Sequence, residues 1–247
     1  MKLLIIPDVH GIMNWEQPLK ISLQDKDIHI IFLGDYVDGI FDTTTIMENL
    51  KKIIYYKKRY LDRITLLLGN HDYSYIFEKR DLSGFDYGFA DNYKEIFIAN
   101  FDLFQIAWGF QGKEKYTLVT HAGLTKSFYK NIVKEIENES TSAHNLLIKS
   151  ADSDWKKLPL HELLNYFIDN SNLMWQIGTE RRGHFPTGSI IWADRNELID
   201  DNYPGIDQIV GHTNLYFVNI VDVKNDKLYF TDVHSVKELM CLLVELN

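Results

Sequence analysis

The stretch LGDYVDG (Leu33–Gly39) places two carboxylates, Asp35 and Asp38, directly after the apolar run Ile28–Phe32. A short apolar run bounded by Gly and Asp is typical of a buried β-strand. Asp and Gly are also ordinary turn residues, so the stretch by itself fits a surface loop equally well. Its meaning depends on whether other strands of the chain end in the same kind of residue.

Four further apolar segments end in Asp, Asn or His beside a glycine. They are LLIIPDVHG (3–11), TLLLGNHD (65–72), TLVTHAG (117–123) and QIVGHTN (208–214). In α/β proteins, functional groups collect at the carboxyl ends of strands, and glycine lets neighbouring backbones approach closely. Five strand ends of one kind therefore predict a shared polar site rather than five independent turns.

The polar side chains at these strand ends have the chemistry of metal ligands: two carboxylates, one amide oxygen and three imidazoles. They are Asp8, His10, Asp35, Asn70, His121 and His212. Such hard-to-borderline ligands suit Mn²⁺, Fe, Zn²⁺ or Mg²⁺ rather than soft Cu(I), and no thiolate belongs to the set. For any one of these histidines, a packed or exposed structural residue is the competing interpretation. Together they predict a divalent metal site.

Length and composition indicate one large globular domain, or a domain with an inserted subdomain. The chain has 247 residues, of which 45% are hydrophobic, and a formal net charge of -9, which argues against a nucleic-acid-binding surface. Its single cysteine excludes an internal disulfide and a cysteine zinc cluster. We expect a cytoplasmic protein, because no secretory signal precedes the first strand and no apolar run reaches the roughly 20 residues of a membrane span.

The order of the predicted elements favours an α/β architecture. Strands at 2–6, 28–33 and 64–68 surround a helix at about 42–61, for which Asp42 and Thr43 are candidate caps. The polar stretch at about 125–188 has helical spacing over most of its length and predicts a helical insertion. After it, strands are predicted at 189–194, 217–223, 227–233 and 239–246, with a hairpin turn at VKNDKL (223–228).

The motifs DVHG, GDYVDG, GNHD, THAG and GHT, in this order, resemble those of the calcineurin-like metallophosphoesterase superfamily. The match covers core elements across residues 1–215. The spelling of GDYVDG, together with WADR (192–195), is similar to the phosphoprotein phosphatase branch, which includes the symmetric diadenosine tetraphosphatases. The resemblance implies a four-layer αββα sandwich, formed by one domain over residues 1–247 with the helical insertion at about 125–188.

The resemblance also implies a site with two divalent metal ions, Mn²⁺ by preference, with Fe, Zn²⁺ or Mg²⁺ as alternatives. Asp35 would bridge the two ions. The other ligands would be Asp8 and His10 for the first ion, and Asn70, His121 and His212 for the second. A hydroxide shared by the ions would attack the phosphate directly, so that no covalent phosphoenzyme is needed.

The same resemblance implies a proton donor for the leaving group. His71 would protonate the leaving alkoxide. Asp38, the second carboxylate of the opening stretch, would orient His71 and favour its protonated form, as a neighbouring carboxylate does. Asp72, directly after His71, is expected to be a structural hydrogen-bond partner.

The chain departs from the pattern of the branch at two positions: the Arg that usually follows the second Asp is Gly39, and the Arg often found before GNH is Leu68. Two guanidinium groups, which bind phosphate as bidentate forks, are therefore missing at their usual positions. Many members of the superfamily also have a second His in a Gly-His-Thr-His motif; here that position is Asn214, and the absence of this His matches the phosphatase branch.

Other residues are candidates for binding the substrate phosphate. They are Arg195, which directly follows WAD, Arg181 and Arg182, and Asn70. A surface ion pair is the competing interpretation for each of the three arginines. His234 follows a predicted strand and could also approach the site.

The resemblance implies a metal-dependent phosphoesterase: a phosphomonoesterase or Ser/Thr protein phosphatase-like enzyme that acts on a phosphorylated small molecule or phosphopeptide. The alternative is a dinucleoside polyphosphate (diadenosine tetraphosphate) hydrolase on the same core, with a dinucleotide substrate. A non-catalytic metal-binding scaffold is the third interpretation, and loss of ligands would be its signature. All six ligand positions and His71 are filled. The sequence leaves the substrate and the oligomeric state open.

Overall fold

Two five-stranded β-sheets with flanking helices make up the computed structural model, which describes residues 1–78, 82–138, 155–234 and 238–246. The chain divides into two units, one formed by residues 1–105, 214–219 and 230–247, and the other by residues 106–213 and 220–229. The predicted α/β class with two sheets is confirmed. The prediction of one domain with an insertion at about 125–188 stays a prediction.

The first unit contains a sheet with the strand order β10-β1-β2-β3-β4. Its strands are β1 (Lys2–Ile6), β2 (Ile28–Phe32), β3 (Ile64–Leu67), β4 (Phe104–Gln105) and β10 (Leu242–Glu245). Strands β1 to β4 are parallel, and β10 pairs antiparallel with β1. Because parallel neighbours end at the same edge of a sheet, the polar residues after β1, β2 and β3 emerge side by side.

Among the described residues of the first unit, the helices are α1 (Glu16–Ser22), α2 (Thr43–Arg59), α3 (Asn70–Ile76) and α4 (Ala90–Ile98). Helix α2 begins as its sequence predicts, because the carboxylate of Asp42 accepts a hydrogen bond from the backbone N–H of Thr45 at 3.0 Å. Its apolar face is buried at Ile46, Leu50 and Ile53. Helix α3 starts directly after β3 and therefore carries its first residues to the edge of the sheet.

The second sheet, which lies almost entirely in the second unit, has the strand order β5-β6-β7-β9-β8. Its strands are β5 (Ala107–Gln111), β6 (Tyr116–Thr120), β7 (Ile206–Val210), β8 (Asn219–Val223) and β9 (Asp226–Phe230). Strand β6 is antiparallel to β5 and parallel to β7. Two residues join β8 to β9, and Lys224 there has a φ of 59°, which confirms the predicted hairpin.

The second unit also contains α5 (Lys126–Glu137), α6 (Leu160–Asn165), α7 (Ser171–Met174) and α8 (Arg195–Asp200). Helices α5 to α7 fall in the predicted helical stretch, of which residues 139–154 lie outside the described residues. In the parts of the chain described above, no helix combines the length and the apolar character needed to cross a membrane.

The strand predicted at 189–194 is wrong, because this segment forms a turn. The carbonyl of Ser189 accepts the backbone N–H groups of Trp192 and Ala193 at 2.9 and 2.8 Å. Ile190 and Ile191 are fully buried nonetheless. A short apolar run reports burial, and burial does not distinguish a strand from a packed turn.

Candidate metal centre

The loops that follow β1 and β2 are held together by backbone hydrogen bonds. The N–H groups of Val9 and His10 donate to the carbonyl oxygen of Asp35 at 3.1 and 2.7 Å. His10, Asp35 and Asp38 have φ angles of 44°, 48° and 56°. Residues other than glycine rarely adopt such angles, and they cluster at functional sites where the surrounding structure imposes them.

Two glycines allow the loops after β2 and β3 to approach each other. A Cβ atom on Gly69 would lie 2.1 Å from Oδ1 of Asp35. Gly34 has a φ of 111°, and a Cβ atom there would lie 2.3 Å from the backbone nitrogen of Gly69. A side chain at Gly69 would therefore displace the carboxylate of Asp35, and one at Gly34 would push the backbones of the two loops apart.

Three predicted ligands of the first unit converge. Asp8, His10 and Asp35 each offer one ligand atom, and these atoms lie within 4.8 Å of one another. Nδ1 of His10 lies 3.0 and 2.6 Å from the carbonyl oxygens of Val37 and Asp38, while Nε2 lies 3.7 Å from Oδ2 of Asp35. An imidazole held through one nitrogen by a carbonyl presents the other nitrogen to a metal. With two carboxylates that are 2% exposed, this donor set fits a divalent ion.

Two predicted ligands of the second unit also lie together. His121 follows β6, His212 follows the parallel neighbour β7, and the N–H of Gly211 donates to the carbonyl of His121 at 2.8 Å. Nε2 of His121 lies 3.1 Å from Nδ1 of His212. Two imidazole nitrogens bound to one ion at about 2.0–2.1 Å are roughly 3 Å apart, so this pair fits a shared ion. In the first unit, Asn70 is the first residue of α3 and is buried.

His71, the predicted proton donor, contacts two carboxylates. Its Nδ1 lies 2.7 Å from Oδ2 of Asp38, and its backbone N–H donates to Oδ1 of Asp35 at 2.9 Å. Burial lowers the pKa of His71, but the charges of Asp35 and Asp38 outweigh burial and raise this pKa to about 9. These contacts therefore favour the imidazolium form, which can donate a proton from Nε2.

Tyr75 belongs to the same group, although sequence reasoning missed it. Its hydroxyl donates to Oδ1 of Asp38 and accepts the backbone N–H of Asp86 at 2.7 Å. Burial and the contact with Asp38 raise the pKa of Tyr75, so the hydroxyl stays a donor. The spacing of His71 and Tyr75 could have predicted this contact, because residues four positions apart lie on one face of a helix.

Asp72 has the structural role expected of it. Its fully buried carboxylate accepts the backbone N–H groups of Tyr36 at 2.8 Å and of Gly69 at 3.0 Å. These hydrogen bonds tie the start of α3 to the loop after β2.

A cavity of about 620 Å³ opens in the first unit beside His10, Asp38 and His71. His234 lines the same cavity, and its ring centre lies 5.7 Å from that of His10. Nδ1 of His234 lies 2.7 Å from Oδ1 of Asp232, and this contact raises the pKa of His234. The sequence position of His234 after a strand thus corresponds to a position at the cavity.

The three predicted phosphate-binding arginines have different surroundings in the second unit. Nε of Arg181 lies 2.8 Å from Oδ2 of Asp194, and its guanidinium donates to Oγ1 of Thr213 at 2.7 Å. Arg182 is exposed with a φ of 63°, and Arg195 is the partly buried first residue of α8. The ion pair of Arg181 agrees with the competing interpretation, and phosphate binding by any of the three stays a prediction.

Comparisons with known proteins agree with this chemistry. The family model of calcineurin-like phosphoesterases matches residues 1–216. A segment of 69 residues is 39% identical to a catalytic subunit of protein phosphatase 2A from Dictyostelium discoideum, and it covers 28% of this chain and 21% of that protein. The match thus spans about a fifth of the length of this curated relative.

Solved structures of cold-active protein-tyrosine phosphatases have a similar fold. The enzyme of a psychrophilic Shewanella species is 18% identical, with a TM-score of 0.54 over 99% of this chain and 75% of that chain. A second such structure is 17% identical, with a TM-score of 0.55 over 99% and 73% of the two chains. At this level of identity, the likeness is one of fold.

Proposed function

The chain belongs to the calcineurin-like phosphoesterase family, and we propose that it is a phosphomonoesterase that acts on phosphate esters of alcohols, such as phosphoserine or phosphothreonine peptides. The family consists of metal-dependent hydrolases of phosphoric esters, so the predicted enzyme class is confirmed. The finer proposal is supported by one observation: His71, paired with Asp38, faces the same cavity as the metal-ligand candidate His10.

The pairing of His71 with Asp38 favours an alcohol as the leaving group. An alkoxide is strongly basic and needs a proton as it leaves, so a positioned acid accelerates its departure. A nucleoside polyphosphate is a much weaker base and leaves with less help. This difference supports a phosphomonoester over the alternative substrate, diadenosine tetraphosphate.

The ligand set supports at least one divalent ion at Asp8, His10 and Asp35. When bound, divalent ions act as Lewis acids on the phosphoryl group and activate water. We propose that His121 and His212 contribute to a second ion. The bridging role of Asp35, the preference for Mn²⁺ and the cytoplasmic location stay predictions.

Residues of the chain position the group that donates a proton to the leaving oxygen. The carboxylate of Asp38, which accepts the hydroxyl of Tyr75, holds His71 through Nδ1, and this contact directs Nε2 of the imidazolium to the leaving oxygen. Asp35 accepts the backbone N–H of His71, which couples the position of the acid to the position of a metal ligand. This arrangement supplies orientation before the reaction begins.

A substrate panel tests the proposal. The protein with added Mn²⁺ is assayed on p-nitrophenyl phosphate, a phosphoserine peptide and diadenosine tetraphosphate. We expect hydrolysis of both monoesters, loss of activity in Asp8→Asn, and normal activity in the matched control Asp27→Asn, whose side chain is exposed. Turnover of diadenosine tetraphosphate alone would support the alternative, and no turnover of any substrate by metal-loaded protein would contradict the proposal.

A further inference from the structure

A second histidine–carboxylate pair lines the cavity that also holds His71 and Asp38. Nδ1 of His234 lies 2.7 Å from Oδ1 of Asp232, and Asp232 is 1% exposed. A buried carboxylate is costly unless it is paired or hydrogen-bonded, so this contact has a strong physical reason to persist. With Nδ1 engaged, Nε2 is the ring nitrogen of His234 that can contact a ligand.

The ring of His234 lies next to the candidate metal ligands. Its centre is 5.7 Å from the ring centre of His10, and the ring of His71 is 5.2 Å from that of His10. A phosphate bound by an ion held at His10 would therefore lie near both neighbouring imidazoles. His71 is already assigned to the leaving oxygen, which leaves the non-bridging oxygens for His234.

Asn214 and Leu215 contact the segment of His234. Nδ2 of Asn214 lies 2.9 Å from Nδ1 of His234 and donates to the carbonyl of His234 at 3.2 Å, and the backbone N–H of Leu215 donates to the carbonyl of Asp232 at 2.9 Å. Asn214 stands where the family resemblance would allow a second histidine. Here an imidazole reaches the cavity from a different segment, and Asn214 supports its backbone.

The backbone also explains why this cavity needs a phosphate-binding group from elsewhere. Gly39 lines the cavity at the position where the phosphatase branch usually has Arg. A Cβ atom on Gly39 would lie 2.3 Å from the carbonyl oxygen of His10. No side chain fits there without a shift of the backbone, so a guanidinium cannot be supplied from this position.

We infer that His234 is a substrate-binding residue that donates a hydrogen bond from Nε2 to a non-bridging oxygen of the substrate phosphate, and that Asp232 is its positioning residue. Oδ1 of Asp232, 2.7 Å from Nδ1 of His234, orients the ring, as carboxylates do for functional imidazoles. The inference rests on the proposed function and adds a residue to it.

Binding of inorganic phosphate to the Mn²⁺-loaded protein tests the inference without turnover. Calorimetric titration of His234→Asn should show phosphate affinity weakened about 10- to 100-fold, as expected for loss of a charge-assisted hydrogen bond. The KM for p-nitrophenyl phosphate should rise in parallel. Metal content should equal that of wild type, and the control His184→Asn, at an exposed histidine, should leave affinity unchanged.

Two further variants separate substrate binding from a merely structural role. His234→Arg should recover part of the phosphate affinity, because a guanidinium also donates to phosphate oxygens. Asp232→Asn should weaken phosphate binding in the wild-type background and have no further effect beside His234→Asn. This non-additivity is expected of residues that act as one unit.

The outcomes distinguish this inference from the proposed function. Unchanged phosphate affinity in folded, metal-loaded His234→Asn would overturn the inference while leaving the phosphomonoesterase intact. Loss of a metal equivalent in His234→Asn would overturn it as well, because His234 would then be a ligand. Wild-type protein that binds phosphate but hydrolyses no monoester would instead contradict the proposed function.

Discussion

His71 and Asp38 stand 33 positions apart in the chain, and Nδ1 of the imidazole lies 2.7 Å from Oδ2 of the carboxylate. Asp38 reaches this position with a φ of 56° in the loop after β2, while His71 comes from the start of α3 after β3. We propose Nε2, the other ring nitrogen of His71, as the proton donor to the leaving group.

Replacement of His71 should slow substrates according to the basicity of their leaving groups. In His71→Asn, hydrolysis of an alkyl phosphate should fall by about 10²- to 10⁴-fold, the usual contribution of general acid catalysis. Hydrolysis of p-nitrophenyl phosphate should fall much less, because p-nitrophenolate leaves without a proton. Steady-state kinetics on both substrates measure the ratio, and elemental analysis checks that metals stay bound. Equal losses on the two substrates would mean that His71 has another role.

Removal of the Tyr75 hydroxyl should show how much this group contributes to the orientation of Asp38. Tyr75→Phe keeps the ring but removes the donor to Oδ1 of Asp38. We expect alkyl phosphate hydrolysis to fall several-fold, up to about tenfold, because a hydrogen bond to a charged group contributes roughly 1.5–3 kcal/mol and only part of it affects orientation. The effect should be smaller than that of Asp38→Asn. The exposed Tyr87 supplies the control Tyr87→Phe, and equal rates in both variants would argue against this role.

Neutralising Asp35 should reduce the metal content. Asp35→Asn removes one charge from a carboxylate that lies with Asp8 and His10 in the ligand group. Because Mn²⁺ and similar ions depend on anionic oxygen ligands, occupancy and most of the activity should be lost. Elemental analysis after gel filtration gives the stoichiometry. Full retention of metal with normal turnover in Asp35→Asn would contradict both the ligand assignment and the predicted bridge.

A methyl group added at position 69 should test the close approach of the loops after β2 and β3. In Gly69→Ala, the added Cβ would lie 2.1 Å from Oδ1 of Asp35, so the carboxylate must move and metal affinity should drop by at least tenfold. In Gly88→Ala, the nearest atom is 3.4 Å away and affinity should not change. Titration with Mn²⁺ compares the two variants. Similar affinities would show that the loops adjust freely.

The pH dependence of stability should report on His29, which lies in β2. Burial, with help from the charges of Lys57 and Arg63, lowers the pKa of His29 to about 4, and its Nε2 lies 2.8 Å from Oγ1 of Thr65. Between about pH 6.5 and about pH 4, His29 is protonated in the unfolded chain but not in the folded chain. Stability is therefore present above the unfolded pKa and is lost as the pH falls through this window.

A substitution isolates this contribution. His29→Gln cannot titrate but keeps a polar group near Thr65. From about pH 7 to about pH 5, wild type should lose roughly 2 kcal/mol more of its free energy of unfolding than the variant does, at 1.36 kcal/mol per pKa unit. Urea denaturation at both pH values measures the difference. If the free energy of unfolding fell by the same amount in both proteins, protonation of His29 would not destabilise the fold.

The sequence by itself determined the local features of the fold and the identity of the candidate ligands. Strands β1, β2, β3, β6 and β7 were predictable because each is a short apolar run that ends at Gly, Asp, Asn or His. Helix α2 was predictable from its apolar spacing and from Asp42 as its cap. These signals are local, because neighbouring residues decide whether a strand or helix forms and where it stops.

Only the tertiary structure decided which distant side chains meet. The contact of Tyr75 with Asp38, the pair of His234 and Asp232 beside His10, and the clash that keeps Gly39 without a side chain all join separate segments. The segment 189–194 became a turn for the same reason. Burial and hydrogen bonding depend on which residues the rest of the fold places around a side chain, and the local amino-acid sequence does not contain that information.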